Sequence, residues 1–398
     1  MSELQAAPNL RERLNGPALV PFRHIPPLDG IRGVGIIVVM FGHYAAGLSE
    51  YWDKRLFGMS LTIDLFFVLS GFLITSLLLE EWSRKGTISM RNFYVRRGLR
   101  LLPALAGLLG VVALVPLFTD WLPLKLTYAE IFAAAFYVYP ALLVVKGDQA
   151  FLLHLWTLSI EEWFYFAWPA LLAIVGLRPD SNRRLRLVTG SLIGFCALLA
   201  VVRVFGGPRR EFFLLYGLRP DSLCYGALLA IFWRKYPDIR TATTDRWLRI
   251  VTGVGAIGFL YFDLIALYPV PPGPFDSQKF HNEAWTSWNY QLGIFCAVLL
   301  ILHLVALPTG RVSRAMSWKA FIKIGGLSYG LYLWHQPIFL IANEQWYINH
   351  RDVMPPWVFG VLVGVASLVV AQISWVLIET PALKMKRRFE VVRPEPTK

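Results

Sequence analysis

The stretch LDGIRGVGIIVVMFGHYAAGL, Leu28 to Leu48, has the composition of a membrane-spanning helix, yet it carries His43. Its apolar run is long enough to cross a hydrocarbon core, which takes about 20 residues of helix. An imidazole in hydrocarbon costs free energy unless it is paired. His43 is therefore predicted either to be tied into a helix bundle by hydrogen bonds or to take part in chemistry.

The whole chain has the composition of a polytopic membrane protein. Of its 398 residues, 56% are hydrophobic and only 16% are charged, and the mean hydropathy is +0.50; a soluble domain of this length is more polar. The net charge of +13 would suit a nucleic-acid-binding protein, but the basic residues lie in short loops between apolar runs, as in membrane topology. The lipid bilayer is thus the predicted partner, and nucleic acid is not.

Eleven apolar stretches are candidates to cross the membrane. They lie at 31–48, 58–80, 101–118, 127–145, 155–177, 186–205, 211–233, 247–268, 285–307, 321–345 and 356–380. Loops rich in Lys and Arg should face the cytoplasm, so an even number of spans should separate them, but three stretches lie between Arg100 and Arg178. We expect 127–145, which contains Glu130 and Pro140, to be a re-entrant or peripheral helix.

The predicted fold is therefore all-α, a polytopic transmembrane helix bundle of about ten spans plus that re-entrant or peripheral helix. Residues 1–27 would form a cytoplasmic N-terminal tail, 28–381 the membrane domain, and 382–398 a basic cytoplasmic C-terminal tail. No soluble catalytic domain is apparent, so any chemistry would lie in the bundle.

Arg32 and His43 are eleven residues apart, close to three helical turns, so they share one helix face and lie roughly 16 Å apart along the axis. With the N-terminus inside, Arg32 lies at the cytoplasmic end and His43 in the outer half. A coenzyme A thioester suits this spacing, because the guanidinium would hold a phosphate while the imidazole meets the reactive end. Alternatively, Arg32 only obeys the positive-inside rule and His43 makes an interhelical hydrogen bond.

Three further charged residues near these spans are candidates. Asp64, in TIDLFFVLSGFLIT, could fix the tautomer of His43 and raise its basicity, as a general base requires; alternatively it pairs with an Arg or a backbone donor. Arg97 and Arg100, in YVRRGLRLLPA, share a helix face and could hold a phosphate or anchor to anionic lipid headgroups. Ser70 and Gly71 are predicted to allow close helix packing.

Candidate acceptor contacts follow from HLWTLSIEEWFYFAWP, in which Glu161 and Glu162 lie among tryptophans that include Trp156. Adjacent acids point to different sides of a helix, so only one readily faces a shared site. Acids beside aromatic rings are typical of sugar-binding surfaces, although aromatic rings also form interfacial belts. Arg219 and His335 are further candidates, with a salt-bridge network as the alternative for Arg219. The sequence has no zinc-ligand spacing and no phosphate loop, so no metal is predicted.

Seven motifs in order resemble those of the acyltransferase 3 family of integral membrane O-acyltransferases. They are LDGIRG leading to GH, DLFFVLSGFLIT, FYVRRGLRLLPA, LWTLSIEEWFYF, RPDSLCYGALLA, SYGLYLWHQP and IETPA. The resemblance covers about residues 28 to 381, nearly the whole chain. The chain departs from it at Trp163, where many relatives have Gln, which bears on acceptor contacts near Glu161.

The resemblance implies a site and a reaction. The Arg-x10-His signature falls on Arg32 and His43, and the Arg-x-x-Arg element on Arg97 and Arg100. By resemblance, His43 is catalytic and the arginines contribute to the acyl-CoA site. The implied reaction moves a short acyl group, acetyl, to a hydroxyl of a carbohydrate-containing acceptor such as a surface glycan, a glycolipid or a macrolide, in a bacterial inner or plasma membrane.

Two alternatives remain open on the residues alone. His43 could deprotonate the acceptor or carry the acyl group transiently. From another class, a secondary transporter could use intramembrane His, Asp and Arg as a proton relay.

Overall fold

The computed structural model describes residues 24–48, 60–118, 124–146, 151–175, 182–205, 219–235, 242–263, 277–386 and 389. Most of the predicted N-terminal and C-terminal tails lies outside these residues. Within them the chain forms helices. They are α1 Pro26–Leu48, α2 Ser60–Lys85, α3 Met90–Leu114, α4 Leu124–Ala135, α5 Tyr139–Lys146, α6 Trp156–Val175, α7 Asn182–Phe205, α8 Pro220–Lys235, α9 Ala242–Tyr261, α10 Ser277–Ala306, α11 Arg311–Met316, α12 Lys319–Gly326, α13 Ser328–Gln345, α14 Pro356–Ser374 and α15 Thr380–Lys386, with a π-helical turn at Trp375–Glu379 between the last two.

The structure confirms an all-α membrane protein. In the described part of the chain, ten helices have 16 residues or more, and each overlaps a predicted span. Five segments are long and apolar enough to cross a membrane by length and composition: Leu61–Lys85, Met90–Leu117, Arg184–Val202, Asn289–Ala306 and Pro356–Met385. The number of ten spans and the cytoplasmic position of both termini stay predictions.

The stretch 127–145 is not one continuous helix. It forms α4 and α5, of 12 and 8 residues, which at 1.5 Å per residue measure about 18 and 12 Å, less than the roughly 30 Å of a hydrocarbon core. The helices are separated by Tyr137, which has a φ of 56°. Neither helix alone reaches across a hydrocarbon core, and the re-entrant or peripheral position of the stretch stays a prediction.

Buried Glu130 stabilises this break. Its carboxylate accepts hydrogen bonds from the Tyr139 hydroxyl at 2.8 Å and from the backbone N–H groups of Phe151 and Leu152 at 3.1 and 2.6 Å. A buried carboxylate is costly unless it is hydrogen-bonded. The acid that makes the stretch poor as a span therefore ties α4 to the chain that leads into α6.

Glycines let two pairs of helices touch along their backbones. A Cβ atom on Gly33 of α1 would lie 2.1 Å from the Phe321 oxygen of α12, and one on Gly71 of α2 would lie 2.0 Å from the Leu223 oxygen of α8. Only small residues permit such an approach between membrane helices. The packing predicted for Gly71 is confirmed, and the LDGIRG motif packs α1 against α12 through Gly33.

The core beside the site is built by α2, α3, α6, α8 and α13. Phe67, Leu105, Leu158 and Leu333 are buried in one hydrophobic cluster. At one end of α2 and α8, buried Arg234 pairs with Glu80 at 2.8 Å. The hydrophobic cluster holds α13 against α3 and α6, and the ion pair joins α8 to α2.

Candidate active site

His43 is a hydrogen-bonded, half-buried side chain on α1. Its Nδ1 lies 3.0 Å from the Val39 oxygen and 3.3 Å from Nε2 of His335 on α13, and the two rings are 5.0 Å apart between centroids. Its Nε2 has no hydrogen-bond partner among the residues that the structure describes. Pairing therefore occupies one ring nitrogen of His43 and leaves the other available for chemistry.

His335 lies behind His43 and is completely buried, with 0% of its surface exposed. Its Nδ1 is 3.0 Å from the Leu331 oxygen and 2.8 Å from the Tyr332 oxygen. We predicted His335 as an acceptor contact, but its side chain instead contacts His43 and backbone carbonyls of its own helix.

His154, which precedes α6, packs edge-on against His335 with ring centroids 5.3 Å apart. Its Nε2 lies 3.2 Å from the Leu333 oxygen of α13. In a helix that oxygen would accept from the N–H of residue 337, but Pro337 has none. The Leu333 carbonyl is thus open to His154, which joins α13 to the segment before α6.

Asp64 is not the partner of His43. Its carboxylate pairs with buried Arg219 at 2.9 Å, accepts from the Ser222 hydroxyl at 2.7 Å, and also accepts from the Tyr290 hydroxyl. The predicted orienting role of Asp64 is therefore corrected, and the alternative of an Asp–Arg pair is what the structure has. The physical reason is that a buried guanidinium needs a carboxylate more than a neutral imidazole does.

Two predicted acceptor contacts belong to this same interior cluster. Arg219 is 1% exposed and Trp156 is 5% exposed. The guanidinium carbon of Arg219 lies 5.4 Å from the ring centroid of Trp156. Trp156 also packs edge-on against Phe67. Both side chains stabilise the bundle, in agreement with the salt-bridge alternative for Arg219, and the structure gives neither one a surface that faces an acceptor.

The three predicted donor-site arginines do come together. Arg100 is close enough to Arg32 and Arg97 for their charges to interact. Arg97 forms a bidentate pair with Glu162, donating from Nη2 to Oε1 at 2.6 Å and from Nε to Oε2 at 3.3 Å, and Arg32 makes a contact of 3.4 Å with Asp29. Such a fork is geometrically fixed, so Arg97 is held in place, whereas the exposed Arg100 side chain is the cation most accessible to an anion.

The adjacent acids of α6 face different helices, as predicted. Glu162 pairs with Arg97 of α3, and Glu161 accepts from the Ser70 hydroxyl of α2 at 2.8 Å. Glu161 also interacts electrostatically with Arg32 and Arg97. Its charge further interacts with the Tyr332 hydroxyl, which donates to the His154 oxygen. We call Arg32, Arg97 and Arg100 the arginine cluster, and His43, His154 and His335 the histidine cluster. Glu161 therefore lies between the arginine cluster and the histidine cluster.

A cavity of about 300 Å³ adjoins the Arg97–Glu162 pair. It lies between α3, α6 and the break between α4 and α5. Its lining is rich in aromatic side chains, namely Tyr94, Phe136, Tyr137, Trp163, Tyr165 and Phe166. The guanidinium carbon of Arg97 lies 3.2 Å from the ring centroid of Tyr165. The Arg97 side chain at the edge of the cavity is therefore fixed by both the Glu162 carboxylate and the Tyr165 ring. Within the described ranges, no group of three His, Cys, Asp or Glu side chains is arranged to hold a metal ion.

The sequence pointed to His43, His335 and the arginines, but not to His335 as the partner of His43. His154, Tyr332 and Pro337 were not singled out as functional. The available signal was the pair His335 and Pro337 in LYLWHQP, because a proline four residues after Leu333 frees a carbonyl beside the histidine.

Comparison with known proteins agrees with the resemblance seen in the motifs. The acyltransferase 3 family model, described as an acyltransferase domain, matches residues 25–376. The chain is 30% identical over 374 residues to the O-acetyltransferase OatA of Staphylococcus aureus, covering 91% of this chain and 58% of the relative. It is 28% identical over 375 residues to the peptidoglycan O-acetyltransferase OatA of Listeria monocytogenes, covering 91% and 56%. The chain thus spans less than two thirds of the length of these relatives, and no solved structure matches it.

Proposed function

This chain belongs to the acyltransferase 3 family, and on that premise we propose that it transfers acetyl from acetyl-CoA to a hydroxyl of a carbohydrate-containing acceptor at the cell membrane. The names of the relatives support O-acetylation, and one of them names peptidoglycan. A surface glycan or glycolipid is therefore the favoured acceptor, ahead of a glycosylated antibiotic such as a macrolide.

One observation carries the proposal. His43, with one ring nitrogen bonded and the other available, lies on the same continuous helix as Arg32, eleven residues away. At 1.5 Å per residue the two side chains are roughly 16 Å apart along α1. A coenzyme A thioester has its phosphates at one end and its reactive carbonyl at the other, so a single extended donor suits both residues.

The arginine cluster suits the phosphate end of the donor. Arg100 is exposed, lies within electrostatic range of Arg32 and Arg97, and would contact the phosphates directly. Arg97, held by Glu162, adds its charge from a fixed position. Three guanidinium groups near one mouth match the several negative charges of coenzyme A. With both termini cytoplasmic, this mouth would face the cytoplasm, where acetyl-CoA is made.

His43 would serve as the catalytic residue through Nε2. In the direct route, the acceptor oxygen attacks the thioester carbonyl while Nε2 takes the hydroxyl proton; the C–S bond then breaks and the thiolate receives that proton. In the covalent route, Nε2 attacks the thioester carbonyl first and the C–S bond breaks to release the thiolate. The acceptor oxygen then displaces the imidazole from the acetyl group, and the hydroxyl proton passes to the thiolate. A trapped acetyl-histidine would decide for the second route.

Glu161 and Glu162 remain the proposed acceptor-side acids. Glu162 pairs with Arg97, and the charge of Glu161 interacts with the Tyr332 hydroxyl. The aromatic cavity beside Glu162 fits an acceptor that carries both hydroxyl groups and an apolar portion, because sugars stack on aromatic rings and lipid chains pack against them. Trp163, 40% exposed, would contribute at its rim.

Transfer of label from radiolabelled acetyl-CoA tests the proposal. Membranes that contain wild type, His43→Ala or His350→Ala at matched protein levels would be incubated with the donor, and label would be counted in glycan and lipid fractions. His350 is the matched control, because it is only half-buried and its ring stacks on Trp346 and bonds to the Trp346 oxygen. Label with wild type and the control, but not with His43→Ala, supports the proposal. Equal labelling with all three would make His43 structural and contradict its proposed role.

A further inference from the structure

We propose that His335 is the positioning residue for His43: it holds His43 in the Nδ1–H tautomer and so makes Nε2 the reactive nitrogen. Its kinetic consequences rest on the function proposed above. The inference itself concerns the resting protein and follows from which atoms face which.

The tautomer of His335 is set by its own helix. Its Nδ1 lies within hydrogen-bond distance of two backbone oxygens, those of Leu331 at 3.0 Å and Tyr332 at 2.8 Å. Carbonyl oxygens only accept, so Nδ1 must carry the proton. In a neutral ring the other nitrogen, Nε2, is then an acceptor.

The tautomer of His43 follows from two acceptors, the Val39 oxygen and Nε2 of His335. The atom that faces the His335 acceptor is Nδ1 of His43, at 3.3 Å, and the same Nδ1 lies 3.0 Å from the Val39 oxygen. Both neighbours accept, so Nδ1 of His43 must be the donor. The proton is therefore shared between the Val39 oxygen and His335, and the lone pair of Nε2 points away from both.

His335 is well placed to act as a fixed acceptor because it cannot turn. Its side chain is fully buried, and the edge-on ring of His154 lies 5.3 Å away. His154 in turn donates from Nε2 to the Leu333 carbonyl that Pro337 leaves open, and the Tyr332 hydroxyl bonds to the backbone of His154. The sequence LYLWHQP thus supplies both the positioning ring and the carbonyl that anchors its neighbour.

A neutral imidazole differs from the carboxylate usually found behind a catalytic histidine. A carboxylate fixes the tautomer and also stabilises the imidazolium by its charge. His335 supplies the first effect with no negative charge. When Nε2 of His43 takes a proton, Nδ1–H continues to donate to His335 and Val39, so no proton has to move through His335.

Two substitutions separate positioning from packing. Gln places its terminal amide near the position of Nε2 of His335, so His335→Gln keeps an acceptor toward His43. Asn reaches only to the position of Nδ1, so His335→Asn keeps the donor toward Leu331 and loses the acceptor. Both are uncharged amides and replace the same ring, which makes each the control for the other.

The expected kinetic result is that His335→Gln retains most of the wild-type kcat, while His335→Asn loses roughly tenfold or more, because a wrong tautomer disables the base. The KM for acetyl-CoA should be unchanged in both, since the arginine cluster is untouched. Equal loss in both variants, with folded protein confirmed by gel filtration, would reduce His335 to a packing residue and overturn the proposal. Equal retention would overturn it as well.

A second measurement needs no turnover. Nitrogen-15 NMR of histidine-labelled protein in lipid distinguishes Nδ1–H from Nε2–H imidazole, and the His43 signal is identified by its loss in His43→Asn. We expect Nδ1–H for His43 in wild type and in His335→Gln, and a mixture in His335→Asn. Nε2–H in wild type would overturn the inference. If no variant, wild type included, transfers acetyl, the proposed function fails while this spectrum still decides the role of His335.

Discussion

At the scale of single residues, Asp64 and His43 have different partners, because a buried arginine needs the carboxylate more than a histidine does. Asp64 and His43 could form the acid–imidazole pair of a general base, yet Asp64 faces Arg219 and His43 faces His335. A guanidinium is charged at every physiological pH, whereas an imidazole can stay neutral. In a low-dielectric bundle the carboxylate therefore goes to the guanidinium.

Asp64→Asn should consequently lower the stability of the fold and leave the catalytic rate of the folded protein nearly unchanged. Breaking a buried ion pair by removing one partner costs about 3–5 kcal/mol, because Arg219 would keep its buried charge. We expect a clear fall in the Tm of the purified protein, while kcat per folded molecule stays near wild type.

The double variant Asp64→Leu with Arg219→Met is the control for this prediction, because it removes both charges and should regain much of the lost Tm. A drop in kcat without a drop in Tm for Asp64→Asn would instead return Asp64 to the role of orienting His43.

Arg100 is expected to act on donor affinity alone. Arg100→Gln removes the exposed cation of the arginine cluster, so the KM for acetyl-CoA should rise about tenfold, as for loss of a charge-assisted contact, with little change in kcat. Initial rates against donor concentration measure this. Arg314→Gln, an exposed arginine on α11, is the matched control, and the same KM shift in both variants would mean that only general surface charge matters.

At the scale of elements, hydropathy predicted where helices lie better than where they end. The stretch 321–345 reads as one span, but the helix stops at Gly326 and a new one starts at Ser328. A long-range contact lies just before this break: a Cβ on Gly325 would lie 1.9 Å from the Asp29 oxygen of α1. The backbone of α12 packs on α1 there. Hydropathy depends only on neighbouring residues in the sequence, so it cannot predict such a contact.

Gly33→Ala should disrupt this packing. The added methyl would lie 2.1 Å from the Phe321 oxygen and 3.0 Å from the Gly325 nitrogen. Because both are backbone atoms, they cannot move aside as a side chain could, and α1 and α12 must separate. Overpacking of this kind costs typically about 1–3 kcal/mol, and here it would also move Arg32. We expect less folded protein and a higher KM for acetyl-CoA.

Gly110→Ala is the matched control for Gly33→Ala, because a Cβ at Gly110 of α3 meets nothing within 4 Å. Replacing this helical glycine should leave the yield of folded protein and the KM unchanged. If Gly33→Ala behaves like Gly110→Ala in both measurements, then α1 and α12 do not touch as described.

At the scale of the whole molecule, the helical class of the fold was predictable from the sequence, and the pairing of His335 with His43 was not. Apolar length and the spacing of Arg32 and His43 are local properties of the chain. The partner of His43 lies 292 positions away, and its pairing depends on how α1 and α13 pack. Sequence spacing could nominate His335 as a functional residue, but it could not tell a substrate contact from a positioning residue.

The path of the chain through the membrane gives the last prediction. α4 and α5 are together only 20 residues long and are broken at Tyr137, and Glu130 bonds back to Phe151 and Leu152 at the start of the next segment. We therefore predict that the chain does not cross the membrane between α3 and α6. Reporter fusions after residues 122 and 150, positions outside the described ranges, should report the same face of the membrane. Opposite faces would make this segment a full span, and the basic loops before α3 and after α6 would then lie on opposite sides of the bilayer, against the positive-inside rule.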